Sequence, residues 1–252
     1  MKMSNERERR AEQERGAAPG IRSCGEQSAS ANSGLFRRLL PILLTVLLPI
    51  ALTLAVLEYF NLLPHRAYTA KELGITELKS ECDADRDGID DYTDIMLGAR
   101  AFVEQKPLYK SEYYKDAYPP AGIGVCTDVV WYAFREAGYD LRAMVDADIA
   151  ARRDAYPSIE EPDTNIDFRR VVNLRVFFEQ NAEKLTTGTV DPSAWQAGDI
   201  VIYDHHIAVC SDKRNRQGLP YIIHHGGQPI YEEDALTRSE ILGHYRWNGS
   251  PD

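Results

Sequence analysis

Between Leu39 and Leu57 the chain runs 19 residues without a charge. Wound as a helix at about 1.5 Å per residue, such a run covers roughly the 30 Å of a bilayer's hydrocarbon core. In lipid every backbone polar group must be satisfied within the segment or a closed barrel, so this stretch constrains everything around it. Pro41 and Pro49 are compatible with a membrane helix. Arg37 and Arg38 precede the run, and Glu58, Tyr59 and Phe60 end it. A basic flank stays in the cytoplasm and aromatic rings suit the interface. The expectation is a cytoplasmic N-terminus, a lipid bilayer contacted through residues 39–57, and everything after them outside. No small-x-small cleavage site follows in residues 58–64 and the run exceeds an ordinary signal h-region, which favours an uncleaved signal anchor over a cleaved signal peptide.

Charge divides unevenly about this segment. The net charge is −10, with +3 in residues 1–38 and −13 in the remainder. An acidic outer part excludes nucleic acid, which demands a basic footprint. Residues 1–38 read as a disordered cytoplasmic tail. Residues 58–82 read as a stalk with a short helical stretch, 83–94 as an ion-binding loop, and 95–252 as one folded domain. Of four cysteines, Cys24 lies in the tail and Cys82, Cys126 and Cys210 lie beyond the apolar run. An odd number there fits one free reactive thiol, and Cys82 and Cys210 read as isolated thiols rather than a pair.

Apolar periodicity predicts helices over 92–104, 126–137, 140–153 and 171–185, with a Tyr/Pro-rich loop over 106–124. From Ile200 onward the pattern is mostly strands. Helices first and an antiparallel sheet afterwards make an α+β domain.

The chemistry centres on Cys126, which follows Gly122-Ile-Gly124 at a predicted helix start. His206 opens the strand-like run His206-Ile-Ala-Val-Cys210, and His224 closes Tyr221-Ile-Ile-His224 with His225 as its rival. A thiol at a helix start with histidines on two strands makes a nucleophile, a base and a residue that orients the base. The helix start and a neighbouring imidazole predict a thiol pKa below the free value of about 8.5. The Cys126 N–H would be one oxyanion donor. His205 is expected on the other face or in a turn with Asp204, Cys210 as buried filler, and His244 as a packed core residue.

A second constellation is Asp83-Ala-Asp-Arg-Asp-Gly-Ile-Asp-Asp-Tyr-Thr-Asp94. Acids at loop positions 1, 3, 5, 9 and 12 with Gly at 6 follow the spacing of an EF-hand-type Ca²⁺ loop. Asp83, Asp85, Asp87 and Asp94 would bind through side chains, Ile89 through its carbonyl, and Asp91 through water. Asp at position 12 resembles the shorter dockerin loops, and the ion's role would be structural.

Gly122-Ile-Gly-Val-Cys-Thr-Asp-Val-Val130, Pro162-Asp-Thr-Asn-Ile-Asp-Phe-Arg-Arg170, Asn173-Leu174, Gly198-Asp-Ile-Val201, His206-Ile-Ala-Val209 and Gly243-His-Tyr-Arg246 occur in order. Together they resemble the DUF1287 branch of the NlpC/P60 cysteine peptidase superfamily, over roughly Leu97 to Trp247. The resemblance implies a papain-like fold of N-terminal helices on an antiparallel sheet, and a Cys126-His206-His224 triad. It also implies a peptidoglycan stem peptide as substrate. Where the endopeptidases of the superfamily carry Asp-Cys-Ser, this chain has Val125-Cys126-Thr127, with an acid at Asp128 instead. Asp128, Asp163, Asn165, Asp167, Arg169 and Arg170 are the expected substrate-binding set, the two arginines as a carboxylate clamp. The competing reading of 163–170 is an Asx-turn and helix cap with internal ion pairs.

The expected function is a membrane-anchored cysteine amidase or peptidase that attacks amide bonds through a Cys126 thioester. The alternatives are a non-catalytic, Ca²⁺-dependent cell-wall scaffold and an acyltransferase on the same triad.

Overall fold

The computed structural model describes residues 29–60, 62–63 and 65–249, with side chains from residue 40 onward. The expected disordered tail therefore lies outside the described residues up to position 28. From Ala29 the backbone is helical, so helix α1 (Ala29–Tyr59) begins ten residues before the apolar run. The chain divides into two compact units, Met1–Val56 and Leu57–Asp252. The stretch Leu40–Tyr59 is long and apolar enough to cross a membrane, and its leucines and isoleucines from Leu40 to Leu54 are exposed.

The second unit mixes helix and sheet. Its helices are α2 (Asp91–Glu104), α3 (Cys126–Glu136), α4 (Leu141–Ala151) and α5 (Val171–Asn181). Two short parallel strands, β1 (Leu108–Tyr109) and β2 (Ile123–Gly124), bracket the Tyr/Pro-rich loop and lead into α3. A six-stranded antiparallel sheet follows, in the order β3-β8-β4-β5-β6-β7. Its strands are β3 (Glu183–Lys184), β4 (Ile200–Ile202), β5 (Ile207–Arg214), β6 (Pro220–Ile223), β7 (Glu232–Glu233) and β8 (Gly243–Arg246).

Both faces of this sheet are covered. Ile200, Ile202, Ile207, Val209 and Ile223 join Ile95, Phe102, Val129, Phe134, Leu174 and Phe178 in the helix-side core. Val201, Ala208, Cys210 and Ile222 alternate onto the other face, against Trp195, Tyr203 and Leu219. Burial on both sides makes β4 and the first half of β5, Ile207 to Cys210, read as continuous apolar runs, because neither face there needs polar residues for water.

Two expectations need correction. The last predicted helix, to Leu185, ends at Asn181, whose amide donates back to the Phe177 carbonyl at 2.8 Å and to Asp148 at 3.0 Å. Glu183 and Lys184 then pair with Arg246 and Tyr245 of β8. The segment read as a stalk is no free spacer. Tyr68 bridges Arg214, a single helical turn covers Lys71–Leu73, and Gln196 bonds both the Leu78 N–H and the Thr76 carbonyl.

Candidate active site

Cys126 is the first residue of α3 and follows Val125 in extended conformation. Gly124 brings β2 hard against α2, where an added Cβ would stand 2.5 Å from the Phe102 ring. Asp128 closes the helix start by accepting the Val125 N–H at 2.8 Å, which satisfies a donor that the first turn leaves free. α3 packs on β5, and Cys126 shares the helix-side core with Ile207, the first residue of that strand, while the N–H groups of Ile207, Thr127 and Cys126 act electrostatically on its thiol. His206 is the residue immediately before Ile207.

From His206 a chain of contacts runs across the sheet. His206 Nε2 lies 2.7 Å from His224 Nδ1, and His224 Nε2 lies 3.0 Å from Glu233 Oε1. Arg238 donates to both Glu233 oxygens, at 2.8 and 2.7 Å. This geometry separates the two rival histidines. His224 touches His206, whereas His225 packs edge-on against Tyr109 and Tyr231. His205 sits exposed in the turn, 3.0 Å from Asp204. Among the described residues no hydrogen bond joins the Cys126 sulfur to a His206 ring nitrogen.

The electrostatics correct the expectation of an acidic thiol. Burial pushes the Cys126 thiol up to about 11, with Asp128 adding to the effect and the three N–H groups opposing it. Burial also pushes His206 down to about 3, reinforced by His224 and His225 and opposed by Glu233. Between these values the resting site holds a neutral thiol and a neutral imidazole. The helix start is outweighed because the sulfur is nearly enclosed, at 7% exposure.

The expected substrate-binding set splits. Asp128 and Arg169 are withdrawn from it: they form a buried bidentate pair at 2.7 and 2.9 Å, and the third guanidinium nitrogen donates to the Glu112 carbonyl. Asp167 is also internal, accepting from the Asp163 N–H at 2.7 Å and the Asn173 amide. These three hold the loop after α4 against the start of α3, where Thr127 donates to the Arg169 carbonyl at 3.1 Å. Asp163 and Asn165 both meet the Tyr113 hydroxyl, at 3.1 and 3.3 Å. Asp163 and exposed Arg170 line an open concavity of about 920 Å³ with Glu160 and Glu161. The internal-ion-pair reading thus describes Asp128, Asp167 and Arg169, while Asp163 and Arg170 stand at an open surface.

In the acidic loop, carboxylate oxygens of Asp83, Asp85 and Asp87 lie within 4.8 Å of one another. They also accept loop N–H groups from Asp87, Gly88 and Ile89, and Gly88 takes the left-handed turn at φ 94°. Asp94 is buried, and burial first, then the charges of Asp87, Asp85, Asp91 and Asp83, push its carboxyl up to about 6. This set of hard oxygens suits Ca²⁺. Asp91 is fully buried, and its carboxylate accepts from the Ala84 N–H and the Tyr139 hydroxyl, so both its oxygens already hold partners inside the protein. Ile89 is exposed.

Comparison with known proteins places this geometry in a family. The family model described as "Domain of unknown function (DUF1287)" matches residues 96–247, a span that contains Cys126, His206, His224 and Glu233. The chain belongs to the DUF1287 family. It is 39% identical over 165 residues to "Uncharacterized protein YijF" of Escherichia coli (strain K12), covering 61% of this chain and 80% of that protein. No solved structure matches it.

Within the DUF1287 span, several motifs are framework. Asp199 of the Gly-Asp-Ile-Val run accepts from Arg246 twice at 2.7 Å, from His244 at 2.8 Å and from the Gln196 N–H at 2.8 Å. His244 is fully buried, stacks on Trp195 at 3.7 Å and reaches the Thr186 carbonyl through its other nitrogen. It is a packed core residue, and the closing motif fastens β8 to β4. Cys82, Cys126 and Cys210 are all free, and Cys210 is fully buried. Sequence reasoning missed Glu233 and Arg238, which carry no motif. The one available signal was an acid on the strand neighbouring His224.

Proposed function

We propose that this DUF1287 protein is a membrane-anchored, extracytoplasmic cysteine amidase or peptidase with a papain-like, NlpC/P60-type site, acting on peptidoglycan stem peptides. The observation that carries the reading is the meeting of Cys126, at the start of α3, with the strand that His206 opens and His224 supports. The membrane helix and the acidic outer unit support the location, and the resemblance of the motifs supports the substrate class.

Because thiol and imidazole rest neutral, attack is general-base catalysed. The proton moves from Cys126 Sγ to His206 Nδ1 as sulfur bonds the carbonyl carbon. The Cys126 N–H faces the developing oxyanion, an interaction typically worth about 3–4 kcal/mol. Collapse breaks the C–N bond while His206 returns the proton to the leaving amine. Water, deprotonated by the same ring, then hydrolyses the thioester and regenerates the thiol. Arg170 and Asp163 offer opposite charges to a substrate's ends.

Asp83, Asp85, Asp87 and Asp94 would hold Ca²⁺ with the Ile89 carbonyl. The ion would neutralise the acidic cluster and fix the start of α2, and takes no part in catalysis. A Ca²⁺-dependent scaffold is the second reading, favoured by the enclosed, neutral Cys126 thiol. Muropeptide digestion by the full chain, with and without Cys126→Ala, separates the two: new stem-peptide fragments support the enzyme and none supports the scaffold.

A further inference from the structure

Glu233 lies outside the expected triad, yet it is 2% exposed and its Oε1 is shared between His224 and Arg238. Both its oxygens accept from the Arg238 guanidinium, so the oxygen facing His224 is an acceptor. His224 Nε2 must then carry the hydrogen. A neutral imidazole has one N–H, so His224 Nδ1 is an acceptor. The hydrogen in the 2.7 Å contact therefore belongs to His206 Nε2, and His206 Nδ1 is left with the free lone pair.

We propose that Glu233, clamped by Arg238, is a positioning residue that sets the tautomers of both histidines and so makes His206 Nδ1 the basic nitrogen. The role rests on the reading of His206 as the base. When Nδ1 takes the Cys126 proton, the imidazolium keeps its Nε2–H on His224, whose own Nε2–H stays on Glu233. No second proton moves. The Glu233 carboxylate supports the new charge through one intervening ring, and Arg238 keeps that carboxylate from rotating away. The route by which a single acid dictates the state of a ring two contacts distant is the alternation of donor and acceptor along the chain.

Glu233→Gln gives a specific reversal. Arg238 offers only donors, so it claims the amide oxygen and turns the amide NH₂ toward His224 Nε2. That nitrogen becomes an acceptor, and both rings invert to the Nδ1–H form, which blocks His206 Nδ1. In Glu233→Gln with Arg238→Met the amide is free to turn its oxygen back to His224.

The experiment uses the full chain in detergent micelles with ¹⁵N-histidine, reading tautomers from long-range ¹H–¹⁵N spectra assigned with His206→Gln and His224→Gln. Alkylation of Cys126 by iodoacetamide is followed in parallel by peptide mass spectrometry. The expected result is Nε2–H on both rings in the wild type and Nδ1–H on both in Glu233→Gln. Cys126 alkylation should fall at least tenfold in Glu233→Gln and recover in part in the double variant. A wild-type His224 in the Nδ1–H form overturns the proposal without any variant, so a misfolded mutant does not shield it. Unchanged tautomers in folded Glu233→Gln overturn it too, even if alkylation slows. Should the tautomers follow Glu233 while the wild type leaves peptidoglycan intact, the hydrolase reading falls and the relay stands.

Discussion

His206 Nε2 sits 2.7 Å from His224 Nδ1, joining the first residue before β5 to the first residue after β6. Antiparallel pairing of those strands, Val209 with Ile223, is what brings the two rings together. The contact engages one nitrogen of His206 and leaves the other for chemistry.

The neutral resting site makes a kinetic prediction. A thiol pushed up to about 11 by burial is alkylated slowly at neutral pH, and its rate should climb through the alkaline range without levelling at pH 7. Iodoacetamide modification of Cys126 against pH reads this directly. A plateau already reached near pH 6 would mean a thiolate–imidazolium pair at rest.

Acid should destabilise the fold through His206. Its ordinary value of 6.5 is lowered to about 3, so below pH 6.5 the unfolded chain binds a proton that the folded chain refuses until about pH 3. Stability contributed by this group is present above pH 6.5 and is lost as pH falls through that window, on the order of 5 kcal/mol in all. Denaturation at pH 7 and pH 4 should show a smaller difference for His206→Gln than for the wild type. Equal slopes would place the imidazole in open solvent.

Asp128 and Arg169 form a pair with essentially no exposed side chain. Removing one partner strands a buried charge, which typically costs roughly 3–5 kcal/mol. Asp128→Ala should therefore lower the melting temperature markedly before any change in substrate affinity is seen. An unaltered melting temperature with a raised KM would return Asp128 to the substrate.

For the acidic loop, chelation should lower the melting temperature, and Asp83→Ala with Asp87→Ala should remove the response to added Ca²⁺. The convergence of Asp83, Asp85 and Asp87 motivates the test. Identical melting with and without chelator would reduce the loop to a charged surface turn.

Much of this site was legible because its signals are local. A glycine-rich approach to Cys126 and a run of apolar residues after His206 mark a helix start and a strand start whatever surrounds them. The choice of His224 over His225 rested on how Tyr221-Ile-Ile-His224 aligns, since the end of β6 is where strict alternation stops; His224 is the one that meets His206. The neutral thiol was missed because its enclosure depends on β5 arriving from distant sequence to pack on α3, and desolvation then outweighs the helix start. Arg169 looked like a clamp because an arginine's partner is invisible until Asp128, 41 residues away, is seen beside it. Glu233 and Arg238 were silent for the same reason.

The central claim is that Cys126 and His206 act as one catalytic unit. The most direct measurement is hydrolysis of purified peptidoglycan by the full chain in detergent with Ca²⁺, comparing wild type, Cys126→Ala, His206→Ala and the double variant. Stem-peptide fragments are expected from the wild type only, with the double variant no worse than either single one, since members of one unit are non-additive. Wild-type turnover by Cys126→Ala would contradict it.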